Sequence, residues 1–171
     1  MKIFFSLILF LFVTQEKPEV IKLSKFYHGE GVIFTKYQNN PSLSFSEKQK
    51  VFKPNLNQII RAEEIFIKNY HNYRKMISEQ YKLTGKIDVA SNKPSEIKKY
   101  FEKYNRQYSG YVDSENDSII YVSMLNFKDR KNASLYFETW KEQIIFGSGK
   151  FYEKNHRFYY INLKTANFLI K

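Results

Sequence analysis

The chain contains no cysteine, and it has little glycine, proline, tryptophan or arginine. Without cysteine it can form no disulfide, no thiolate metal site and no lipid anchor attached through a cysteine. Small exported domains often depend on disulfides, so this fold must be held by side-chain packing alone. The 6 glycines and 4 prolines among 171 residues form no repeat and no low-complexity tract.

Arginine is scarce although the chain is strongly basic, with a formal net charge of +11. Basic proteins often bind nucleic acid. Phosphate and base recognition favours the planar arginine fork, whereas lysine outnumbers arginine here by 23 to 5. Lys, Asn, Ile, Phe and Tyr make up 84 of the 171 residues, which is the bias that an AT-rich genome imposes through its codons. The composition therefore argues against nucleic acid as the partner, while an acidic or anionic partner stays open.

The first residues have the pattern of an export signal. Met1 and Lys2 precede an apolar run, residues 3–13, that only Ser6 interrupts, and polar residues follow. At ~1.5 Å per residue this run reaches ~17 Å, short of the ~30 Å core of a bilayer. We predict a signal peptide at residues 1–15 and a single exported α+β domain at residues 16–171, located in the periplasm or outside the cell. We expect no stable membrane span after cleavage.

Two alternatives to a cleaved signal remain at this point. The small residues that mark a cleavage site are missing from residues 13–15, so the cleavage position is not fixed. The same run could be a buried strand or helix of a cytoplasmic protein, or an uncleaved membrane anchor.

A long amphipathic helix is the clearest element. Asn55 and Gln58 have the spacing of a capping box, and an apolar residue recurs every three or four positions from Ile59 to Tyr81. This pattern predicts a helix over residues 56–82 that stops near Gly85. Pro94 and the shared face of Ile97, Phe101 and Tyr104 predict a second, shorter helix over residues 94–104.

Most other segments have the composition of strands. We predict a first hairpin from residues 20–27 and 32–37, and a second from residues 107–112 and 118–127 about the polar turn 113–117. Further strands are expected at residues 43–45, 144–146, 151–152, 157–163 and 168–170, and a short helix at 132–143. The fold class is therefore predicted to be α+β, with one long amphipathic helix packed on an antiparallel β-sheet and one or two short helices.

The segments that resemble motifs for catalysis, cofactor binding or metal binding lack residues that those motifs require at fixed positions. Residues 147–150 read Gly-Ser-Gly-Lys, but the first glycine and the final Ser/Thr of a P-loop are replaced by Ile144 and Phe151. Residues 113–117 lack the later glycine and glutamate of a calcium loop. The three histidines are isolated from one another in the sequence. Glu63 and Glu64 are adjacent on the predicted long helix, so their carboxylates point in different directions, and we expect the face of the helix that carries them to be solvated. We predict no catalytic residue, no metal ligand and no cofactor.

Aromatic residues crowd the C-terminal half of the chain. If one sheet face is aromatic and exposed, it would suit binding of a protein or a polysaccharide. The alternative is a core rich in Tyr and Phe with ordinary exposed tyrosines. The weak candidates for binding are Arg106, Tyr108, Tyr111, Trp140 and Tyr159.

One stretch carries a resemblance. Residues 100–111 read Tyr-Phe-x-x-Tyr-Asn-Arg-Gln-Tyr-x-Gly-Tyr, and a turn and the strand residues 119–122 follow. The segment resembles small uncharacterised exported bacterial domains in which a helix leads into an antiparallel sheet. The likeness extends loosely to Trp140 and the final hairpin, and it implies a fold but no activity.

The sequence leads to a functional hypothesis with alternatives. The main one is a non-enzymatic exported module that binds another protein or an envelope component. An inhibitor or immunity-type protein against an envelope hydrolase is the first alternative, and its binding should weaken sharply with salt. A nucleic-acid-binding protein and an enzyme with an unrecognised site are the others.

Overall fold

Seven strands and four helices follow one another along the part of the chain that the computed structural model describes, residues 17–35, 50–81 and 91–170. In chain order they are β1 (Glu19–Ile21), β2 (Gly31–Ile33), β3 (Lys50–Phe52), α1 (Leu56–Gln80), α2 (Pro94–Phe101), β4 (Tyr104–Val112), β5 (Ser118–Asn126), α3 (Arg130–Tyr136), α4 (Lys150–Asn155), β6 (His156–Asn162) and β7 (Asn167–Leu169). The predicted signal peptide, the strand predicted at residues 43–45 and the helix stop near Gly85 lie outside the described residues.

The strands form one mostly antiparallel sheet in the order β1-β2-β4-β5-β6-β7, and β3 pairs with β4. The pair β2–β4 is the parallel exception. Strands β4 and β5 pair along their whole length, from Tyr104 opposite Asn126 to Val112 opposite Ser118. Their predicted turn is present, and Asp113 Oδ1 closes it by accepting the backbone N–H of Glu115 at 3.0 Å and that of Asp117 at 2.9 Å.

Helix α1 begins at the predicted capping box. Asn55 Oδ1 accepts the Gln58 N–H, and Gln58 Oε1 accepts the Asn55 N–H, each at 2.9 Å. The apolar stripe then faces the sheet, where Phe66 packs against Tyr159 with ring centroids 5.0 Å apart. At the C-terminal end of the helix the apolar stripe no longer packs on the sheet, and Tyr81 there is 53% exposed. The predicted α+β class, with one long helix on the sheet, is confirmed.

Both faces of the central strands are covered. Because successive strand residues point to opposite faces, Tyr108 and Val122 contribute to a helix-side core under α1 and α2. Tyr111 and Tyr121 contribute to a far-side core on the other face, which Phe137 and neighbouring residues after α3 cover. Most of the aromatic residues of the C-terminal half are therefore packing residues of two cores.

Several boundaries differ from those predicted. Residues 151–152 belong to helix α4 and not to a strand, because Gly149 takes a φ of 95° and starts the helix as its N-cap. Residues 144–146 are irregular, and α3 ends at Tyr136 before the predicted position 143. Tyr104 opens β4 and does not close α2. No strand was predicted at residues 50–52, where β3 lies.

None of the helices in the described ranges 17–35, 50–81 and 91–170 has both the length and the apolar character that crossing a bilayer requires.

Candidate functional site

An open pocket of about 310 Å³ lies between the C-terminal half of α1 and the first half of β6. We call it the arginine pocket, and its lining residues are Tyr73, Arg74, His156, Arg157, Phe158 and Tyr159. Strand β6 contributes from both sides because its residues alternate in direction. The described pairing of β7 covers β6 only from Tyr160 to Asn162, so the pocket lies against the part of β6 beyond that pairing.

The aromatic wall of the pocket is tied to the helix-side core. Tyr73 stacks on Phe168 with ring centroids 4.3 Å apart and an interplanar angle of 16°. It also meets Tyr159 edge to face at 6.0 Å. Burial raises the pKa of Tyr73, and the nearby Arg74 charge only partly opposes this effect. The wall is therefore a firmly packed, uncharged surface at neutral pH.

Two of the five arginines of the chain line this pocket. Arg74 Nε is buried and has no hydrogen-bond partner among the described residues. Arg157 Nη1 donates to the carbonyl of Glu153 and, at 2.9 Å, to the carbonyl of His156. These carbonyls at the end of α4 fix the direction of the Arg157 side chain. The pocket thus combines two guanidinium groups with aromatic walls.

His156 lies at the boundary between the pocket and the far-side core. Its Nε2 is 2.9 Å from Ser123 Oγ, and burial, assisted by the Arg157 charge, lowers its pKa to about 4. The imidazole is therefore neutral at physiological pH. Ser123 has no solvent-accessible surface, so a substrate carbonyl cannot reach its hydroxyl, and this Ser–His contact does not have the access that a hydrolase needs.

A row of aromatic rings, of which the two at its ends are exposed, continues from the pocket. A strip that we call the aromatic strip runs from Tyr136 to Tyr152 at 5.7 Å, then to His156 at 6.3 Å and to Phe158 at 5.7 Å between ring centroids. Phe158 is 50% exposed and Tyr136 is 43% exposed, and the neighbouring Leu135 reaches 69%. Tyr136 also stacks on Phe151 at 4.3 Å, and Phe158 contacts Tyr121 at 6.1 Å between ring centroids, so the exposed parts of these side chains lie at the edge of the far-side core.

The five binding candidates from the sequence lie in the two cores. Arg106, Tyr108 and Tyr159 are in or beside the helix-side core, and Tyr111 and Trp140 are in the far-side core. None of the five exceeds 9% exposure. They share no surface, and Tyr159 alone among them lines the arginine pocket.

The sequence analysis did not predict the arginine pocket. A usable signal was present, since Tyr73-Arg74 and Arg157-Phe158 each place a rare arginine beside an aromatic residue in a lysine-rich chain. The two pairs are far apart along the chain, and only the packing of α1 across the sheet brings them together.

Metal and phosphate motifs find no support in the structure. No group of three or more His, Asp or Glu side chains that could hold a metal ion occurs in residues 17–35, 50–81 or 91–170. The Gly-Ser-Gly-Lys segment leads into α4, a helix of 6 residues.

Comparison of the chain with protein-family models, with curated proteins and with solved structures found no match.

Proposed function

We propose that this protein is a non-enzymatic exported module that binds another protein of the envelope through the arginine pocket and the aromatic strip. The observation that carries the proposal is the half-exposed Phe158, which borders an open pocket with two arginines. Aromatic residues and arginine are the residue types that dominate the energetics of protein interfaces.

The distribution of exposed and buried groups supports binding over catalysis. Arg106 and Glu63, the most deeply buried charged pair among the described residues, form an ion pair within the helix-side core. Ser123 and His156 are in contact but lack access for a substrate. The exposed aromatic rings, by contrast, leave apolar area in water, and burying that area against a partner is favourable by about 25 cal/mol per Å².

An inhibitor or immunity-type protein is a second candidate that one observation favours. Many envelope hydrolases that cleave glycosidic bonds use a pair of carboxylates. The Arg74 guanidinium, whose Nε has no hydrogen-bond partner among the described residues, has the charge and donor geometry to engage such an acidic group. Purified protein would then lower the activity of the target hydrolase, and Arg74→Gln would relieve this inhibition.

Site-specific photo-cross-linking tests the proposed surface. A benzoylphenylalanine at position 158 replaces one exposed aromatic ring with another, and the same group at position 56 serves as the control. Leu56 is 49% exposed and lies on α1 at ~27 Å from Arg74 along the helix axis. We expect a discrete adduct with an envelope protein from position 158 in the producing cells and none from position 56.

The adduct must also depend on the pocket. Arg74→Gln should reduce it, whereas Arg130→Gln, an equal charge change on the exposed side of α3, should leave it unchanged. Equal adducts from positions 158 and 56, or no protein adduct from position 158, would rule the surface out as a binding site.

A further inference from the structure

We infer that α3 and α4 together form a lipid face that rests on an anionic phospholipid membrane. The lipid face consists of Leu135 and Tyr136, which enter the headgroup region, and of Lys131, Lys150 and Lys154, which face the lipid phosphates. This inference goes beyond the proposed function, whose ligand is a protein and whose central residue is Phe158.

An exposed apolar tip on α3 is the first argument. Leu135 is 69% exposed, more than any other large apolar side chain in the described part of the chain, and Tyr136 is 43% exposed. Ala133 anchors the other side of the helix in the far-side core, and a residue two positions later points away from that core. A leucine beside a tyrosine suits the boundary between water and lipid, because the leucine leaves water while the tyrosine hydroxyl stays hydrated.

Helix α4 is fixed against α3, so the two helices present one surface. Tyr136 stacks on Phe151 with an interplanar angle of 19°, and the Tyr152 hydroxyl donates to the carbonyl of Tyr136 at 3.2 Å. Phe137 contacts Phe151 at 5.2 Å between ring centroids from within the far-side core. The exposed tip is therefore held on a firmly packed base, and docking requires little further ordering of side chains.

Lysines flank this tip from both helices. Lys131 precedes Leu135 by four positions, which places the two side chains on the same face of α3. The pKa of the Asp129 carboxyl is lowered mainly by hydrogen bonds from Asn132, with smaller contributions from the charges of Lys154 and Lys131. This shared effect places the lysine of α4 close to that of α3, and both side chains are exposed.

The charge of this region matches an anionic surface. Residues 128–138 and 150–155 contain five cations and three acidic residues, which gives a net charge of +2 within a chain of net charge +11. Asp129, one of the three acids, already accepts hydrogen bonds from Asn132 with both carboxylate oxygens. Lysine suits this partner, because mobile lipid phosphates attract a point charge and do not require the planar fork of arginine.

The size of the tip favours lipid over a protein or a nucleic acid. A stable protein interface buries about 800 Å² on each partner around several large side chains, whereas the tip offers Leu135 and Tyr136. Reversible membrane attachment needs only a small apolar insertion combined with attraction to anionic lipid. A nucleic acid would instead contact a track of cations and leave Leu135 in water.

The absence of cysteine makes a direct test possible. Ser134→Cys, on the exposed surface beside Leu135, supplies a single thiol for an environment-sensitive nitrobenzoxadiazole dye. Ser95→Cys is the matched position, because it is exposed on α2, which packs on the other face of the sheet. We expect vesicles of phosphatidylcholine and phosphatidylglycerol in equal parts to shift the emission at position 134 to shorter wavelength, and pure phosphatidylcholine to leave it unchanged. The dye at position 95 should respond to neither.

Sedimentation of the unlabelled full chain with the anionic vesicles measures the contribution of each group. Lys131→Gln combined with Lys154→Gln should weaken binding ~10–30-fold, because each cation near an anionic surface contributes about a factor of five. Leu135→Ala should weaken binding at least ~5-fold. Lys93→Gln combined with Lys99→Gln, the same charge change on α2, should alter binding less than ~2-fold.

Several results would overturn the lipid face. Equal binding to the two kinds of vesicle would exclude anionic lipid, and equal losses in the two double variants would mean attraction by net charge alone. Binding that Leu135→Ala leaves unchanged would assign the attachment to another apolar segment, such as residues 3–13. A response at position 134 to inorganic phosphate or to a short single-stranded DNA as large as that to the anionic vesicles would assign the surface to a different anion.

The lipid face and the proposed function fail separately. The cross-link from position 158 is made to a protein, whereas the vesicles contain none. Loss of vesicle binding with an intact adduct would overturn the lipid face alone, and loss of the adduct with intact vesicle binding would overturn the proposed function alone.

Discussion

Arg106 Nε lies 3.0 Å from Glu63 Oε1, and each of the two side chains is only 1% exposed. Tyr108 donates its hydroxyl to the same carboxylate oxygen at 2.7 Å. The other two guanidinium nitrogens donate hydrogen bonds to main-chain carbonyls. Nη1 donates to the carbonyl of Tyr104 at 2.7 Å, and Nη2 donates to the carbonyl of Phe101 at 3.1 Å. The pair joins α1 to β4 at the centre of the helix-side core, so it fixes how the helix sits on the sheet.

Glu63→Gln should destabilise the protein by about 3–5 kcal/mol, because it leaves the Arg106 charge buried without a counter-ion. Glu64→Gln is the matched control one residue along α1. Glu64 pairs with Lys25 at 2.7 Å, but these two side chains are 53% and 69% exposed, and exposed pairs contribute at most about 1 kcal/mol. Urea unfolding of the two variants measures both values.

Replacing both partners by apolar residues should recover much of the loss. We expect Glu63→Leu combined with Arg106→Met to be more stable than Glu63→Gln, because no charge remains buried. If Glu63→Gln costs no more than Glu64→Gln, the buried pair does not contribute to stability as its geometry indicates.

Gln107 holds the segment that covers the far-side core. Its Nε2 donates to the carbonyls of Trp140 at 2.5 Å and Gln143 at 2.8 Å, and its Oε1 accepts the N–H of Ile145 at 2.9 Å. Gln107→Glu replaces the donor by an oxygen that faces two carbonyls, so we expect a loss of about 2–4 kcal/mol.

The single tryptophan reports on this change. Emission from Trp140, which is 9% exposed, should shift to longer wavelength in Gln107→Glu at denaturant concentrations that leave the wild type folded. Gln143→Glu is the control, since the Gln143 side chain is exposed and donates from Nε2 to Thr139 Oγ1 at 2.6 Å. Identical fluorescence transitions in the two variants would refute the role of Gln107.

Local patterns account for what could be predicted from the sequence. The capping box of Asn55 and the apolar spacing after it are local, and they placed the start of α1 correctly. The polar turn at residues 113–117 likewise placed the β4–β5 hairpin. Phe151 and Tyr152 fit a strand as well as a helix by composition, and the φ of Gly149, which decides between the two, cannot be read from residue types.

Long-range packing accounts for what was missed. Arg106 was a weak candidate for binding, whereas the structure buries it against Glu63 of α1, which supplies its counter-charge. Arg74 and Arg157 come together for the same reason, through contact of α1 with β6. Such contacts depend on the register of the helix on the sheet, which no local pattern contains.

His156 should make stability depend on pH in the range from 6.5 to 4. Its pKa is about 4 in the folded protein against 6.5 in the unfolded chain. As pH falls, the unfolded chain therefore takes up this proton first, and stability present above pH 6.5 is lost progressively until about pH 4. The difference corresponds to about 3 kcal/mol.

The variant His156→Gln isolates this contribution, because the amide can still bond to Ser123 Oγ but does not titrate. Denaturant unfolding at several pH values should show a steeper fall for the wild type than for His156→Gln between pH 6.5 and 4. Parallel curves would mean that His156 is not buried as a neutral group.

Phe158 should contribute directly to binding of the envelope protein. Because Phe158 is 50% exposed, Phe158→Ala should leave the fold intact while removing an aromatic contact worth about 0.5–1.5 kcal/mol. We expect the protein that is cross-linked from position 158 to bind this variant about 2–10-fold more weakly than the wild type. Leu56→Ala, an equally exposed site at the start of α1, is the control and should bind as the wild type does. Equal affinities of the two variants would contradict this role of Phe158.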